Sequence, residues 1–436
     1  MEVQPGKSIF DHHHPPEREL IDDCVHCGFC LPTCPTYALW GEEMDSPRGR
    51  IYLMKLGTEG KAQLSGTYVE HFDRCLGCMA CITACPSGVQ YEKLIETTRA
   101  QIERNYPRSF ADRLFRKLIF ELFPYPRRLR IMALPLFLYQ RSGLQKLLRK
   151  VGILKLLPAR LQAMEALLPD ITRASLRSQM PHTIPAQRTK RMRVGLLLGC
   201  VQQVFFLEVN QATARVLAAE GCEVVIPPGQ GCCGALMVHA GFEEQALDFA
   251  RRTIEVFEQA EVDAVVINAA GCGSSMKEYG YLLRDDPAYA ERARKFAARC
   301  KDISEILCEL PTQAKRNPLP LRIAYHDACH LQHAQGIRKH PRDLLHEIPG
   351  LQVLEVPDSA LCCGSAGIYN LIEPEAAQQL GDRKVQNVLS TGAQMVVSSN
   401  PGCLLQLNNG LDRAGKPLPT RHIVELLDAS IRGTSL

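Results

Sequence analysis

The sequence lacks any long apolar segment. Its longest apolar run, Ile131 to Tyr139, has nine residues and includes a proline, whereas a membrane-spanning helix needs about 20 apolar residues. The N-terminal residues are polar and do not contain the apolar core of a secretory signal peptide. These absences predict a chain without a transmembrane helix that stays in the cytoplasm, where disulfide bonds are not expected.

Signatures of catalysis are missing as well. No Ser-His-Asp set, paired carboxylates or phosphate-binding loop stands out. Gly229, Gly231 and Gly234 match the spacing of a dinucleotide-binding loop. However, Gly234 already belongs to a Cys-Cys-Gly motif, and the equivalent loop further along the chain lacks the first two glycines. We therefore expect neither a nucleotide site nor an autonomous catalytic centre.

Cysteine, in contrast, is abundant, with 19 among 436 residues. Eight cysteines precede a long cysteine-free gap between Cys85 and Cys200, and 11 lie from its end onwards. A reducing cytoplasm does not favour so many thiols without a use, so we expect metal or cluster ligands. Composition and spacing predict four units, with bounds at 15–100, 101–190, 191–315 and 316–436.

The first unit contains the spacing C-x2-C-x2-C-x3-C-P twice. Thiolates bind iron strongly, and in the bacterial two-cluster pattern the fourth cysteine of each motif binds the other cluster. The spacing therefore predicts two 4Fe-4S clusters. The ligands of cluster 1 are Cys24, Cys27, Cys30 and Cys85, and those of cluster 2 are Cys75, Cys78, Cys81 and Cys34. Two zinc sites, the alternative, would leave the third cysteine and the trailing Cys-Pro of each motif unexplained.

Helices are predicted around and after these motifs. Ser46 and Pro47 have the character of an N-cap and a first helical residue. From about 95 to 190, Leu, Ile and Phe mix with Arg and Lys at helical spacing, which predicts amphipathic helices. Prolines are expected to break these helices at Pro124, Pro126, Pro135 and Pro158.

The same segment carries most of the positive charge. From Arg104 to Arg193 there are 20 basic and four acidic residues, a net charge of +16, whereas the whole chain carries +4 and the remainder therefore −12. This segment is a candidate to contact an anionic membrane face near a quinone, or acidic partner subunits. The alternative is a solvated helical surface. No recognition motif accompanies the charge, so we expect no nucleic-acid binding.

After Arg193, short β-branched runs alternate with amphipathic helices, which predicts parallel sheets covered by helices. The pattern repeats itself, because three cysteines recur at offsets of 129, 130 and 131 residues. A tandem duplication explains this best. The predicted fold class is multidomain, α+β and α/β, with a helical two-cluster region, a basic helical linker and a duplicated α/β parallel-sheet domain.

Each repeat has a Cys-Cys-Gly motif and two further cysteines. Loops at the carboxyl ends of parallel strands converge, so each set is a candidate site for a metal, a cluster or an electron acceptor, or else a group of buried small hydrophobic residues. The candidates are Cys200, Cys232, Cys233 and Cys272, and Cys329, Cys362, Cys363 and Cys403. The remaining Cys222, Cys300 and Cys308 fit no spacing and are expected to be ordinary thiols.

Three histidines, His326, His330 and His333, have the spacing of one helix face. They are expected to line a polar pocket or cap a helix rather than to bind a metal.

Together these motifs resemble the iron-sulfur subunit of glycolate oxidase (glycolate dehydrogenase) over nearly the whole chain. The match is close in CVHCGFCLPTCPTY, DSPRGRIYLMK, RCLGCMACITACPSGV and GCGSSMKEYG. The resemblance implies a ferredoxin-type 4Fe-4S domain and two Cys-Cys-Gly domains like those of heterodisulfide reductase. It also implies an electron-transfer subunit of a dehydrogenase complex, in which FAD-binding partner subunits oxidise glycolate to glyoxylate and electrons pass towards quinone or another acceptor.

Related iron-sulfur subunits share this architecture. Those of lactate-utilisation and glycerol-3-phosphate dehydrogenase complexes are the alternatives, followed by a redox sensor. The heterodisulfide reductase repeats end in C-x2-C, whereas here Ser275 and Gln406 occupy the last position. This departure argues against a noncubane cluster in the repeats and leaves another metal or an acceptor site as candidates.

Overall fold

The computed structural model describes residues 7–177 and 180–436. Its N-terminal part is helical, with a 3-10 turn at Glu43–Asp45. The helices are α1 (Arg18–Asp22), α2 (Pro35–Trp40), α3 (Pro47–Thr58), α4 (Gly66–Asp73), α5 (Ala80–Thr83) and α6 (Tyr91–Asn105). The predicted start of α3 is confirmed, because the Ser46 hydroxyl accepts a hydrogen bond from the Gly49 amide at 3.0 Å and Pro47 is the first helical residue.

The basic segment is helical too, as predicted. Its helices are α7 (Phe110–Leu122), α8 (Pro126–Arg141), α9 (Leu144–Val151), α10 (Ala159–Ala166) and α11 (Arg173–Arg177). One predicted break is wrong, because α8 continues through Pro135. Proline removes one hydrogen bond, to the carbonyl of Ile131. Ile131 is 71% exposed, so water can reach this part of the helix and bond the free carbonyl.

The first repeat contains a five-stranded sheet in the order β1-β3-β2-β4-β5. Its strands are β1 (Thr183–Ile184), β2 (Met192–Leu196), β3 (Cys222–Val225), β4 (Ala264–Ile267) and β5 (Cys300–Asp302). All pairs are parallel except the short edge pair of β1 with β3. The helices are α12 (Gln202–Phe205), α13 (Leu207–Ala219), α14 (Ala235–Ala240), α15 (Glu243–Glu258), α16 (Ala270–Lys277), α17 (Tyr279–Leu282), α18 (Ala290–Arg299) and α19 (Ile303–Glu309).

The second repeat contains a four-stranded, fully parallel sheet in the order β7-β6-β8-β9. Its strands are β6 (Arg322–His326), β7 (Gln352–Glu355), β8 (Met395–Ser398) and β9 (Thr420–His422). Its helices are α20 (Lys339–His346), α21 (Tyr369–Ile372), α22 (Pro374–Ser390), α23 (Pro401–Arg413) and α24 (Ile423–Arg432). This order matches β3-β2-β4-β5 strand for strand, which is the topology expected of a duplication.

The two repeats share one hydrophobic core. Buried residues from both sheets belong to the same cluster, including Val194 on β2 and Ile323 on β6. Helix α13 of the first repeat packs on α24 of the second. An ion pair between Arg215 and Asp428, at 2.7 Å, links the same two helices.

Candidate metal centres

The four cysteines predicted to bind cluster 1 line one open cavity, and Cys81 of the other predicted set also lines it. Cys24, Cys27 and Cys30 lie on the loop between α1 and α2, and Cys85 follows α5. Gly28 on this loop has φ of +88°, and a Cβ there would lie 2.8 Å from the Arg48 side chain. The positive φ, which residues with a side chain rarely adopt, explains why a glycine stands within the motif.

The cysteines predicted to bind cluster 2 lie deeper in the protein. Cys34, Cys75, Cys78 and Cys81 are all buried. Burial raises the pKa of the Cys81 thiol, and the neighbouring Cys78, Cys75 and Cys34 raise it further. Cys30 of the other predicted set has the same effect, so thiols of both sets surround Cys81.

The spacing of these sulfurs bears on which metal they fit. Four thiolates at about 2.3 Å from one zinc ion are separated by only about 3.8 Å. Across the part of the chain that the structure describes, no three donor atoms of these eight N-terminal cysteines lie within 4.8 Å of one another. Among the described residues, these eight thiols therefore do not form a preformed site for a single ion.

A buried arginine stabilises a thiolate among the cysteines predicted to bind cluster 2. Arg50 on α3 is 1% exposed and donates hydrogen bonds to the Asp45 carbonyl and to the His71 carbonyl. Burial acts to raise the pKa of the Cys75 thiol, but the positive charges of Arg50 and Arg99 outweigh it and the pKa is lowered. Arg50 therefore favours the thiolate that an iron cluster requires. Sequence reasoning missed this role, although Arg50 lies within a quoted motif.

In the first repeat, the four candidate cysteines come together at the carboxyl end of the sheet. Cys232 contacts both Cys200 and Cys233, and Cys233 contacts Cys272. Their mutual contacts lower the pKa of Cys233 and raise that of Cys232 and Cys272. The convergence expected from parallel strands is therefore present.

In the second repeat, the equivalent cysteines also meet. The Cys329 and Cys362 sulfurs are 3.9 Å apart, and Cys363 contacts both Cys362 and Cys403. Here a histidine joins the group: His326, at the end of β6, has a ring nitrogen within 4.8 Å of the Cys363 and Cys403 sulfurs. The expectation that His326 shares a helix face with His330 and His333 is wrong, because His326 ends a strand.

The other two histidines connect the second repeat to the loop of cluster 2. Both lie in a π-helical turn at His330–Ala334. A ring nitrogen of His330 lies 2.8 Å from the Gly77 carbonyl, and one of His333 lies 2.7 Å from the Thr83 hydroxyl. Cys78 is also near Cys329, because this thiol contributes to the raised pKa of Cys78 after burial. The loop predicted to bind cluster 2 and the second repeat are thus direct neighbours.

A second, open cavity lies between α6 and the first repeat. Met79 and Ile82, beside the cluster 2 cysteines, form part of its wall. Glu96 and His239 also line it, and burial raises the pKa of Glu96 to about 7 and lowers that of His239 to about 4. The cavity therefore combines apolar residues with several acidic side chains, and one of these, Glu96, holds a proton near neutral pH.

Comparison with known families matches three descriptions along the chain. They are a 4Fe-4S dicluster domain at 20–89, the linker region of the glycolate oxidase iron-sulfur subunit at 111–168, and a cysteine-rich domain at 194–277 and again at 323–408. The duplication seen in the sheets is thus also present in the family matches.

Two similar proteins extend over almost the full chain. A probable glycolate oxidase iron-sulfur subunit of Bacillus subtilis is 42% identical over 94% of both chains, and the glycolate oxidase iron-sulfur subunit of Escherichia coli is 37% identical over the same shares. The chain belongs to the glycolate oxidase iron-sulfur subunit family. Like that family, it carries a 4Fe-4S domain, which makes it an electron-transfer protein.

A third relative separates the alternatives. Lactate utilization protein A of Halalkalibacterium halodurans is 33% identical over 97% of its own length, but it covers only 54% of this chain. The glycolate oxidase relatives therefore account for a much larger share of this chain, 94% against 54%. Among the described residues, the structure contains no helix that is long and apolar enough to cross a membrane.

The positions that end the heterodisulfide reductase motif carry no thiol here. The Gln406 amide donates to the Ala377 carbonyl at 3.0 Å and accepts from Asn370 at 3.2 Å, so it is occupied by structural contacts. Ser275 is buried, and its hydroxyl has no hydrogen-bond partner among the described residues. Neither position therefore supplies a further cysteine ligand to its repeat.

Proposed function

We propose that this chain is the iron-sulfur electron-transfer subunit of a complex that oxidises glycolate to glyoxylate. The observation that carries the proposal is the 42% and 37% identity to glycolate oxidase iron-sulfur subunits over 94% of the chain. When bound, two 4Fe-4S clusters would supply one-electron transfer between FAD on partner subunits and an acceptor. The predicted ligands are Cys24, Cys27, Cys30 and Cys85 for one cluster and Cys75, Cys78, Cys81 and Cys34 for the other.

The chain's own residues would set the charge around these thiolates. Arg48 donates to the His26 carbonyl on the first cysteine loop at 3.0 Å, and Arg50 and Arg99 act on Cys75. A cluster bound by four thiolates is anionic, so buried guanidinium groups offset its charge.

The direct test uses the assembled complex, co-purified with its flavin subunits, in a dye-reduction assay with glycolate or lactate. We expect glycolate to be the better substrate, about eight irons and eight acid-labile sulfides per chain, and loss of turnover in Cys78→Ser. Cys308→Ser is the matched control, because Cys308 is an exposed thiol outside both sets. Two zinc ions without sulfide, or an unchanged turnover in Cys78→Ser, would contradict the proposal.

For the acceptor, we propose a quinone in the cavity beside Met79 and Ile82. Reduction of a quinone to a quinol takes two electrons and two protons, and Glu96 offers a proton at neutral pH, to be replaced from solvent. We expect Glu96→Gln to slow reoxidation of the reduced complex by a quinone analogue. Reoxidation by ferricyanide, which takes no proton, should be unchanged; an equal effect on both oxidants would argue against this site.

The linker helices supply a candidate membrane-facing surface. Within the described chain, 14 of the 19 exposed large hydrophobic side chains lie between Phe110 and Leu161. On α9, Leu144, Leu147 and Val151 are exposed next to three basic residues. Apolar groups flanked by positive charge fit an anionic lipid surface.

Vesicle binding tests this surface. We expect the complex to bind phosphatidylglycerol vesicles more tightly than phosphatidylcholine vesicles, with weaker binding at high salt. Leu147→Asn should weaken binding, whereas Leu436→Asn, at an exposed leucine outside the linker, should not. Equal binding of the two vesicle types would contradict a basic docking surface, and a partner subunit that protects the linker from proteolysis would point to protein contact instead.

A further inference from the structure

The second Cys-Cys-Gly repeat contains a donor that the first lacks. His326 stands 129 residues after Leu197, the same offset that relates Cys329 to Cys200. The first repeat therefore has a buried leucine where the second has an imidazole. Because the surrounding strands have the same order, this difference lies in the side chain and not in the fold.

His326 is buried without a conventional partner. It is 1% exposed, and apart from the neighbouring Cys363 thiol neither ring nitrogen has a hydrogen-bond partner among the described residues. An unpaired buried polar group is costly, so such a group calls for an explanation. A metal ion bound to one ring nitrogen would provide it.

The neighbouring donors are suitably arranged. One ring nitrogen of His326 and the sulfurs of Cys363 and Cys403 all lie within 4.8 Å of one another. Such a compact set can close on a single ion, with distances of about 2.0–2.1 Å for Zn–N and about 2.3 Å for Zn–S. Two thiolates and one neutral imidazole also leave a divalent ion with no net charge, which suits a buried site.

Surrounding groups stabilise the thiolates. Cys403 lies in the first turn of α23, where the helix dipole favours negative charge. The Asn400 amide donates to the Cys403 sulfur at 3.4 Å. The ammonium of Lys384 is buried near Cys362 and Cys363, whereas the matching position in the first repeat is Thr253. Contacts of this kind orient and tune metal ligands.

We propose that the second repeat binds one zinc-class divalent ion through His326, Cys363 and Cys403. Three protein ligands leave a fourth position open, as in zinc sites that bind a small molecule or water. The first repeat, with Leu197 and Thr253 in place of His326 and Lys384, does not form this site. The inference does not depend on the clusters of the N-terminal region.

Metal content tests the site independently of turnover. The complex is purified anaerobically, and zinc and iron are counted per chain in the wild type, His326→Leu, His326→Cys and, as the matched control, Leu197→Ala. We expect about one zinc ion in the wild type, its loss in His326→Leu, retention in His326→Cys and Leu197→Ala, and an iron count that is equal in all four. The equal iron count shows that the variants still fold around their clusters.

X-ray absorption at the zinc edge gives the ligand set. We expect a zinc ion with one nitrogen and two sulfur neighbours from the protein. The proposal is overturned if the wild type carries no zinc, if His326→Leu keeps its zinc, or if His326→Leu loses iron instead, which would indicate an iron cluster in this repeat.

Discussion

The two Cys-Cys-Gly repeats have the same strand order, yet they meet the N-terminal region differently. The second repeat contacts the cluster 2 loop through His330 and His333. At the matching positions, the first repeat has Val201 and Val204, which cannot donate such bonds. The first repeat instead touches α6, where Arg99 donates to the His239 carbonyl at 2.8 Å.

This difference shows how a duplicated fold can specialise without changing its backbone. The sheets and the cysteine positions are kept, while a few polar residues decide which repeat lies against cluster 2 and which holds a nitrogen donor. Matched substitutions in the two repeats therefore test whether their differences are as local as the structure indicates.

The largest expected contrast involves the glycines that follow the two cysteine pairs. Gly234 and Gly364 have φ of +84° and +87°, and an added Cβ would lie 3.2 Å from the Ala246 carbonyl and 2.5 Å from the Ala377 carbonyl, respectively. Left-handed backbone costs alanine about 1–2 kcal/mol, and the second contact adds overpacking of about 1–3 kcal/mol.

We therefore expect Gly364→Ala to lower the free energy of unfolding by about 3 kcal/mol or more, and Gly234→Ala by about 1–2 kcal/mol. Denaturant midpoints of chains with equal iron content would measure the difference. Equal losses of unfolding free energy in the two variants would show that the loop at Gly364 adjusts to the added Cβ more easily than its contact with Ala377 suggests.

The next contrast concerns pH. The helix after the last strand of each repeat begins with a capping box, on Asp302 and Glu305 in the first repeat and on His422 and Glu425 in the second. Burial raises the pKa of Asp302 to about 6 and lowers that of His422 to about 4. The two caps therefore respond to pH in opposite directions.

The signs follow from proton binding. Asp302 holds its proton more tightly in the folded state, so its stabilising effect is full below pH 3.8 and is lost as the pH rises through about 6. His422 holds its proton less tightly in the folded state, so its effect is full above pH 6.5 and is lost as the pH falls through about 4. Each effect amounts to at most about 3 kcal/mol.

Asparagine at either position keeps an N-cap side chain but does not titrate. We expect Asp302→Asn to flatten the loss of stability between pH 4 and about 6, and His422→Asn to flatten the loss between about 6.5 and 4. Unfolding midpoints across this range would measure both. If the unfolding midpoints of both variants changed with pH in the same way, Asp302 and His422 would not respond to pH in opposite directions.

The smallest contrast is the hydrogen bond from the second repeat to the cluster 2 loop. His333→Val copies the residue of the first repeat and should cost about 1 kcal/mol of unfolding free energy. In that background, Thr83→Val should have little further effect, because its partner is already gone. Strictly additive losses in this double-mutant cycle would mean that the contact contributes nothing.

Much of the fold could be predicted from the sequence. The β-branched runs predict β2, β3, β4, β6, β7 and β8, and the structure contains each of them. The short strands β1, β5 and β9 were missed, because Thr183–Ile184, Cys300–Asp302 and Thr420–His422 are too brief for a periodic pattern. For β5 and β9, the capping boxes were the available signal, since Asp302 and His422 each precede a glutamate by three residues.

The cysteine sets were predictable because spacing alone relates them to cluster motifs and strand ends. The side chains that surround these cysteines could not be predicted in this way. His326 reaches Cys363 and Cys403 across the sheet, and Arg50 reaches the cluster 2 loop from a neighbouring helix. Such contacts depend on tertiary packing, which local periodicity does not record. The comparison of Leu197 with His326 between aligned repeats was the one signal in the sequence.

The central claim is that electrons from glycolate pass through the N-terminal clusters of this chain. It is tested most directly by adding glycolate to the anaerobic complex and recording the electron paramagnetic resonance signal of reduced iron-sulfur clusters before and after a quinone analogue is added. We predict that the signal appears with glycolate, disappears with the quinone analogue and is lost or altered in Cys78→Ser. Clusters that stay oxidised while glycolate is turned over would contradict the account.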